Sequence, residues 1–238
     1  MTRLYGKEHR DIQDEFGTRK MADRVEELVC RTEFDDEAKG FIEHVDMFFL
    51  SSVDHQGRPT VSYKGGDVGF VKVLDSTTLA FPSYDGNGMF FSMGNISQNP
   101  QVGLLFISFS TPHRMRVQGT ATISRDDLLM AEYKEADYIV RVKLSEFWQN
   151  CPRYIHQMTK VRDSRYVPRM DCDTPLAGWK RLDLVQDVIL TKDLQQAEVE
   201  GLINIEEWVG KIKSGDLPVS WRYGCDTDYR RIPSWRLV

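Results

Sequence analysis

Short runs of strand-like residues, each ended by a turn, are the feature that most limits how this chain can fold. Residues 47–53, 59–64, 69–74 and 77–81 read as two hairpins, and residues 102–109, 115–123 and 138–144 read as further strands. Turns between neighbouring runs suit antiparallel pairs, whereas a parallel sheet needs long crossover connections. The pattern therefore predicts an antiparallel barrel or sandwich.

Helical periodicity flanks the predicted strands. Apolar residues recur at helical spacing in residues 20–30, 35–44, 125–134 and 205–214. The acidic start of the second segment, residues 35–37, suits the positive end of a helix dipole. We expect a mainly β, α+β chain forming one domain, with a helical arm (1–45), a barrel core (46–156) and an extension (157–238).

The composition and net charge of the chain limit the kinds of partner that it is expected to bind. The 238 residues carry a formal net charge of -5, and 41% of them are hydrophobic. This balance predicts a folded protein and gives no electrostatic reason to expect nucleic acid or an anionic membrane as partner. No apolar run is long enough to span a membrane, and the first residues lack a signal-like apolar stretch. Cytoplasmic localisation is expected.

The four cysteines are far apart in the sequence and form no CxxC pair. Free thiols are the expected state of Cys30, Cys151, Cys172 and Cys225 in a reducing compartment. The five histidines do not cluster near them, so no metal site is predicted.

The segment between two predicted strands, residues 81–100, has an unusual composition. It holds three glycines, three asparagines and two prolines among several aromatic residues. Gly and Asn allow the backbone to approach a ligand closely, and long loops in compact domains are often functional. Two interpretations stay open: a ligand-binding loop, or a short helix plus turn that packs on the core.

Three motifs, in this order, resemble the pyridoxamine 5'-phosphate oxidase-like family of split-barrel flavin mononucleotide (FMN) proteins. Residues 49–59 resemble its strand, Gly-x-Pro turn and return strand. Residues 99–106 resemble its loop end and following strand. Residues 116–121, with their Gly-x-Ala, resemble a closing barrel strand. Residues 95–100 and 150–155 are similar to a subgroup of predicted flavin-nucleotide-binding proteins.

The resemblance, which covers roughly residues 36–156, implies an antiparallel six-stranded split β-barrel. It also implies a homodimer that binds FMN at the interface between its two barrels. A small-molecule substrate or electron donor would then approach the open face of the flavin. No catalytic residue is assigned.

The candidate cofactor-binding residues come from the return strand, the loop and three later arginines. They are Ser62, Tyr63, Lys64, Gly65, Pro82, Ser83, Tyr84, Asn87, Met89, Ser92, Asn95, Arg114, Arg116 and Arg153. Lys64 is a candidate for stabilising negative charge on the reduced flavin, or alternatively is an exposed strand lysine. Asn95 is a candidate for binding the ring or ribityl chain, or alternatively for capping a helix.

The phosphate of the cofactor needs cations or converging N–H groups. The positions that match the family's basic residues are Ser62, Phe91 and Ser92 in this chain. We therefore expect the backbone of residues 86–88 and Ser92 to hold the phosphate. Positive charge would come from Arg114, Arg116, Arg153 or the partner subunit.

Three functions are consistent with this pattern. The first is an FMN-dependent oxidoreductase of unknown substrate. The second is a non-catalytic flavin-binding or sensing protein, because no acid, base or nucleophile constellation stands out. The third is a split barrel that binds haem or a deazaflavin, because the loop lacks cations.

Overall fold

The computed structural model describes residues 2–214, which form two compact units divided between Val161 and Arg162. The predicted single domain stays a prediction. Cys225, predicted to be a free thiol, lies outside the described residues. No helix within residues 2–214 is both long and apolar enough to cross a bilayer.

The first unit is mainly antiparallel β-sheet with helices around it. Its strands are β1 (Cys30–Arg31), β2 (Met47–Val53), β3 (Pro59–Gly65), β4 (Lys72–Asp75), β5 (Thr78–Tyr84), β6 (Gln101–Ser108), β7 (His113–Ser124) and β8 (Ala136–Asn150). Its α-helices are α1 (Lys7–Glu15), α2 (Arg19–Val29), α3 (Asp36–His44) and α4 (Phe91–Gln98). The mainly β, α+β class predicted from the sequence is confirmed.

The described residues form one eight-stranded sheet in the order β3-β2-β6-β7-β8-β5-β4, with β1 paired to β8. The predicted number of six strands is not confirmed. Strand β8 runs well beyond the predicted residues 138–144, and its extra residues pair with β1 and with the start of β7. The sheet is open, because its edge strands β3 and β4 are not hydrogen-bonded to each other.

One face of the sheet, called here the inner face, carries the core. Its fully buried side chains include Phe48, Leu50, Phe81, Phe106, Met115 and Val117. The opposite side of the sheet is called the outer face. The Phe48 ring of β2 lies 4.9 Å from Phe81 of β5 and 5.1 Å from Phe106 of β6, measured between centroids. Because three strands separate β2 from β5 in the sheet order, the contact between Phe48 and Phe81 requires the sheet to curve strongly around its core.

Helix α3 confirms a start signal read from the sequence. Asp35 is its N-cap, and its carboxylate accepts a hydrogen bond from the Ala38 amide. Residues 125–134, predicted as an α-helix, contain only the 3-10 helix Leu128–Glu132. Asp127 caps this short helix, because its carboxylate accepts a hydrogen bond from the Leu129 amide.

The second unit contains α5 (Thr191–Glu200), α6 (Ile205–Ser214) and the 3-10 helices Gly178–Arg181 and Asp183–Val185. The bounds predicted for α6 are confirmed. Lys180 and Asp193 form a buried ion pair at 2.8 Å. This pair joins α5 to the 3-10 helix Gly178–Arg181.

Among the cysteines in residues 2–214, one differs from expectation. Cys30 and Cys151 are free thiols. Cys172 is disulfide-bonded, so the prediction of a free thiol is wrong there.

Gly119 sits at the bulge where β7 shifts register against β8. A Cβ atom at this position would lie 2.4 Å from the carbonyl oxygen of Lys143. Because that oxygen is backbone, we expect Gly119→Ala to lower the free energy of unfolding by about 1–3 kcal/mol. Urea unfolding measures the change. Gly103→Ala is the control, since its Cβ would lie 3.7 Å from the nearest atom, and an equal loss in both variants would contradict the prediction.

The turn between β2 and β3 depends on Asp54. Its carboxylate accepts from the amides of Gln56 and Arg58, each at 2.9 Å, and from the Arg58 guanidinium at 2.7 Å. The hydrogen bonds from Arg58 lower the pKa of Asp54 to about 2 from its ordinary value of 3.8.

A lowered carboxyl pKa stabilises the fold above the unfolded-state pKa, and this stabilisation is lost as the pH falls to the folded-state value. We therefore expect wild type to be more stable than Asp54→Asn above pH ~4, with the difference shrinking towards pH ~2. Thermal unfolding across this pH window is the measurement. Glu33→Gln, at an exposed position, is the control. A difference between wild type and Asp54→Asn that does not vary with pH would exclude this account.

Candidate functional site

A cavity of about 180 Å³ opens between β3, β5 and the start of α4. Its lining residues are Lys64, Ser83, Tyr84, Gly86, Asn87, Gly88, Phe90, Phe91, Ser92 and Met93. Residues 85–90, which connect β5 to α4, turn at Gly88, where φ is +76°. The cavity thus lies within the segment 81–100 that the sequence marked as unusual.

The interpretation of that segment as a short helix that packs on the core is confirmed, and its interpretation as a ligand-binding loop stays a prediction. Residues 91–98 are the short helix α4, which buries Met93, Asn95 and Ile96 against the core. Residues 85–90 remain a loop, and it lines the cavity. The segment therefore both packs on the core and forms the wall of a concave site.

The N-terminus of α4 faces the cavity without a cap. Phe90 occupies the N-cap position in the left-handed region, with φ 45°, and supplies no side-chain acceptor. The first helical hydrogen bond runs from the Gly94 amide to the Phe90 carbonyl. The amides of Phe91, Ser92 and Met93 thus have no acceptor among the described residues. Free amides at the positive end of a helix dipole favour an anion.

Lys64 places a positive charge at the same cavity. It lies on edge strand β3 opposite Phe48, so its side chain is on the inner face. Burial lowers the pKa of its ammonium, and no ion pair or hydrogen bond from the described residues compensates. A partly desolvated cation of this kind is stabilised by a bound anion.

Hydroxyl groups complete the polar side of the cavity. Ser62 on β3 and Ser92 on α4 are hydrogen-bonded at 3.1 Å between their Oγ atoms. Burial, with a smaller contribution from the charge of Asp67, raises the pKa of Tyr84 to about 12. The Tyr84 phenol is therefore protonated at neutral pH and able to donate a hydrogen bond to a ligand.

Buried hydrogen bonds hold α4 in place. The side-chain amide of Asn95 donates hydrogen bonds to Ser52 Oγ at 3.0 Å and to Thr60 Oγ1 at 3.3 Å. Ser52 and Thr60 are also hydrogen-bonded to each other at 3.1 Å. This network ties the helix to the β2–β3 hairpin, and so fixes the helix N-terminus relative to Lys64.

The structure brings together only part of the predicted set. The predicted residues that line the cavity are Lys64, Ser83, Tyr84, Asn87 and Ser92. Ser62 contacts it through Ser92. Those that do not line it are Tyr63, Gly65, Pro82, Met89, Asn95, Arg114, Arg116 and Arg153. Their predicted part in cofactor binding remains untested.

The positions of several of these residues in the fold explain why they do not line the cavity. Tyr63 and Gly65 lie on the outer face, where a Cβ on Gly65 would meet the Tyr63 ring at 2.7 Å. Asn95 is turned into the core. Arg153 follows β8 and lies 5.9 Å from the Tyr154 ring centroid.

Sequence reasoning missed three lining residues, Phe90, Phe91 and Met93. The left-handed backbone of Phe90 left no signal, since this conformation is rare for a bulky residue. The helical spacing of Met93 and Ile96 was a usable signal for α4.

The family model of pyridoxamine 5'-phosphate oxidase matches residues 34–159, more than half of the chain. The chain belongs to this family. The resemblance stated from three short motifs is thereby confirmed. The matched residues include every strand from β2 to β8 and the whole cavity. No curated protein matches the chain.

Several solved structures are similar over about half of the chain. A putative pyridoxamine 5'-phosphate oxidase from Lactobacillus delbrueckii is 21% identical, with a TM-score of 0.41, covering 50% of this chain and 95% of that one. An FMN-binding protein from Syntrophomonas wolfei is 9% identical, with a TM-score of 0.40, covering 59% and 97%. The haem storage protein HutZ from Vibrio cholerae is 20% identical, with a TM-score of 0.37, covering 48% and 94%. At these identities and TM-scores, the three proteins say nothing about what this chain binds.

The uncompensated charge of Lys64 has a consequence for stability. A lysine whose folded-state pKa is lowered destabilises the fold below that pKa, and the loss diminishes as the pH rises towards its ordinary value of 10.5. We expect Lys64→Met to raise the Tm of the ligand-free protein at neutral pH by a few degrees, about 2–4 °C per kcal/mol gained. The gain should shrink as the pH rises.

Differential scanning calorimetry at neutral and alkaline pH measures this effect. Lys20→Met, at an exposed position on α2, is the matched control. A lower Tm for Lys64→Met than for wild type would mean that Lys64 has a stabilising partner, contrary to the geometry.

Proposed function

We propose that this protein is an FMN-binding flavoprotein and an oxidoreductase. One observation carries the proposal: the partly buried ammonium of Lys64, which has no partner within residues 2–214, borders a cavity that also receives the uncapped N-terminus of α4. This pairing of a cation with free amides is suited to a phosphate group. These groups would hold a phosphate although the loop itself contains no arginine or lysine.

The residues present fit FMN in a defined way. The phosphate would be held by the amides of Phe91 and Ser92, by the Ser92 hydroxyl and by Lys64. At about 180 Å³ the cavity is smaller than the ~300–1,000 Å³ of pockets that enclose a drug-sized ligand. It therefore takes only part of the cofactor. Phe90 and Phe91, which are about half exposed at the rim, offer apolar surface to the remainder.

The side chains at the cavity have separable tasks. FMN, when bound, supplies hydride or electron transfer. Tyr84 would donate a hydrogen bond from its phenol, which stays protonated even at moderately alkaline pH because burial raises its pKa to about 12. Lys64 balances the negative charge of the phosphate, and the bound anion in turn compensates the burial of its ammonium.

A second copy of the chain would complete the site, and the outer face is the surface it would cover. Val61 and Tyr63 of edge strand β3 are 69% and 62% exposed. By register, Tyr63 lies beside Phe49 of β2, and Phe49 beside Leu105 of β6. This row of apolar side chains supports a homodimer, since burying it would remove apolar area from water.

A passive flavin carrier is the second candidate. Lys64 and Tyr84 are the titratable side chains of the lining, and no histidine, cysteine or carboxylate borders the cavity formed by the described residues. An enzyme that relies on a general base is not favoured by this set. The two candidates differ in whether a nicotinamide donor reduces the bound flavin.

Fluorescence titration with FMN and with riboflavin tests the cofactor. We expect Lys64→Met to weaken FMN binding about 10- to 100-fold, because it removes a charge-assisted contact. The affinity for riboflavin, which lacks the phosphate, should change little. Gln98→Ala, at an exposed position of α4, is the control.

Failure of the wild-type protein to bind FMN would refute the proposal. Equal loss of FMN and riboflavin binding in Lys64→Met would instead place the lysine at the ring. Anaerobic addition of NADH or NADPH then separates the candidates: bleaching of the flavin supports an oxidoreductase, and no bleaching by either supports a carrier.

A further inference from the structure

Helix α2 directs its apolar side chains away from the rest of its own chain. Met21, Val25 and Leu28, called here the α2 stripe, recur at helical spacing and are 66%, 43% and 60% exposed. Neither α1 nor α2 contains a buried residue. An apolar stripe on a surface helix normally faces a core, so this stripe lacks its cover.

The charged side of α2 is the side that contacts its own chain. Asp23 forms an ion pair with Arg10 of α1 at 2.6 Å, and Glu26 accepts a hydrogen bond from Thr2 Oγ1 at 2.6 Å. Because each residue of a helix turns by about 100°, Asp23 and Glu26 lie on the side of α2 opposite the stripe. The two helices are thus joined by polar contacts, and the stripe faces outward.

Such contacts contribute little to the stability of two short helices. Helices α1 and α2 have 9 and 11 residues, and isolated helices shorter than about 12–15 residues are marginal in water. The Asp23 carboxylate is about half exposed, and an ion pair open to solvent contributes little. A stable α1–α2 hairpin (residues 7–29) therefore needs a further apolar surface against the α2 stripe.

The outer face of the sheet offers an apolar surface that is also uncovered. Val61 and Tyr63 of edge strand β3 are more than half exposed, and Tyr63 lies beside Phe49 of β2. The α2 stripe of the same copy does not cover this row, because both surfaces are exposed. Two uncovered surfaces of one chain can cover each other reciprocally in a symmetric dimer.

The charges of these two surfaces are complementary. The α1–α2 hairpin carries seven Asp and Glu residues against five Lys and Arg residues. On the outer face of β3, β2, β6 and β7, the register places Arg114 and Arg116 as the charged side chains and no carboxylate. An acidic hairpin is attracted to such a face, and this attraction favours one orientation of the two copies.

We propose that the α2 stripe docks on the outer face of a second copy of this chain, so that the hairpin of each copy covers Val61 and Tyr63 of the other. This proposal rests on the homodimer of the proposed function and not on its cofactor. It identifies the segment that holds the two copies together. Twofold symmetry makes every such contact occur twice, so two short helices remove a doubled apolar area from water.

Sedimentation velocity of the full-length protein over a concentration series tests the docking. The first variant is Met21→Gln with Leu28→Gln, which keeps a good helix former at two exposed positions. The second is Val61→Gln, on the opposing surface. The matched control is Lys20→Gln with Glu27→Gln, which changes two exposed positions of α2 outside the stripe and keeps the net charge.

We expect each of the first two variants to raise the Kd of the dimer ~10-fold or more, because each substitution removes apolar contact twice. The control should keep the wild-type Kd. All three substitutions together should raise the Kd by less than the product of the separate effects, because residues in contact are coupled.

Three outcomes would overturn the proposal. A weaker dimer only in the α2 variant means that the stripe meets a surface other than the outer face. A weaker dimer only in Val61→Gln leaves the homodimer but removes the hairpin from it. A monomeric wild type removes both, and the fluorescence titration with FMN then decides separately whether the chain binds the cofactor.

Amide hydrogen exchange is a second measurement that needs no variant. We expect residues 19–29 to exchange at least ~10-fold faster when wild type is diluted from dimer to monomer, because the short helices lose their cover. Exchange in α2 that does not change on dilution would show that the helix needs no partner, and would also overturn the proposal.

Discussion

The curvature of the sheet is the constraint on which the candidate site depends. Strands β3 and β5 are separated by four strands in the sheet order, yet Lys64 of β3 and Tyr84 of β5 line one cavity. The ring of Phe48 packs against the rings of Phe81 and Phe106. Close packing of these three large side chains brings distant strands together around one core. A flat sheet of the same strands would have no such cavity.

Helix α4 depends on the same arrangement. It is only eight residues long and has no side-chain cap, so its own propensity contributes little to its stability. Its position comes from Met93 and Ile96 in the core and from the hydrogen bonds of Asn95 to the β2–β3 hairpin. The helix N-terminus is therefore held rigidly beside β3 although its amides are left without acceptors.

The candidate site has charge without a counter-charge. The ammonium of Lys64 is surrounded by hydroxyls, amides and apolar side chains, and no carboxylate is among the described residues that line the cavity. Several other cations of the first unit are paired with carboxylates, as Arg58 is with Asp54 and Arg141 with Asp127. Lys64 differs from an exposed lysine such as Lys20 in being partly buried, so water compensates its charge less well.

The sequence by itself determined the fold class, the family and most strand positions, because turn residues and the alternation of apolar side chains are local signals. Strand β2 and helix α6 have the predicted bounds. Within the candidate site it identified Lys64, Tyr84 and Ser92, since their motif and loop composition are also local. Only the tertiary structure decided which predicted residues meet. Along β3, Lys64 lies at the cavity and Tyr63 lies on the outer face. Beyond a bulge, β8 continues and pairs with the first half of β7, which contains Arg114 and Arg116. The pairing of strands that are far apart in the chain, such as β2 with β6 and β5 with β8, and the curvature of the sheet depend on contacts between distant residues. The local pattern of a single strand therefore does not specify them.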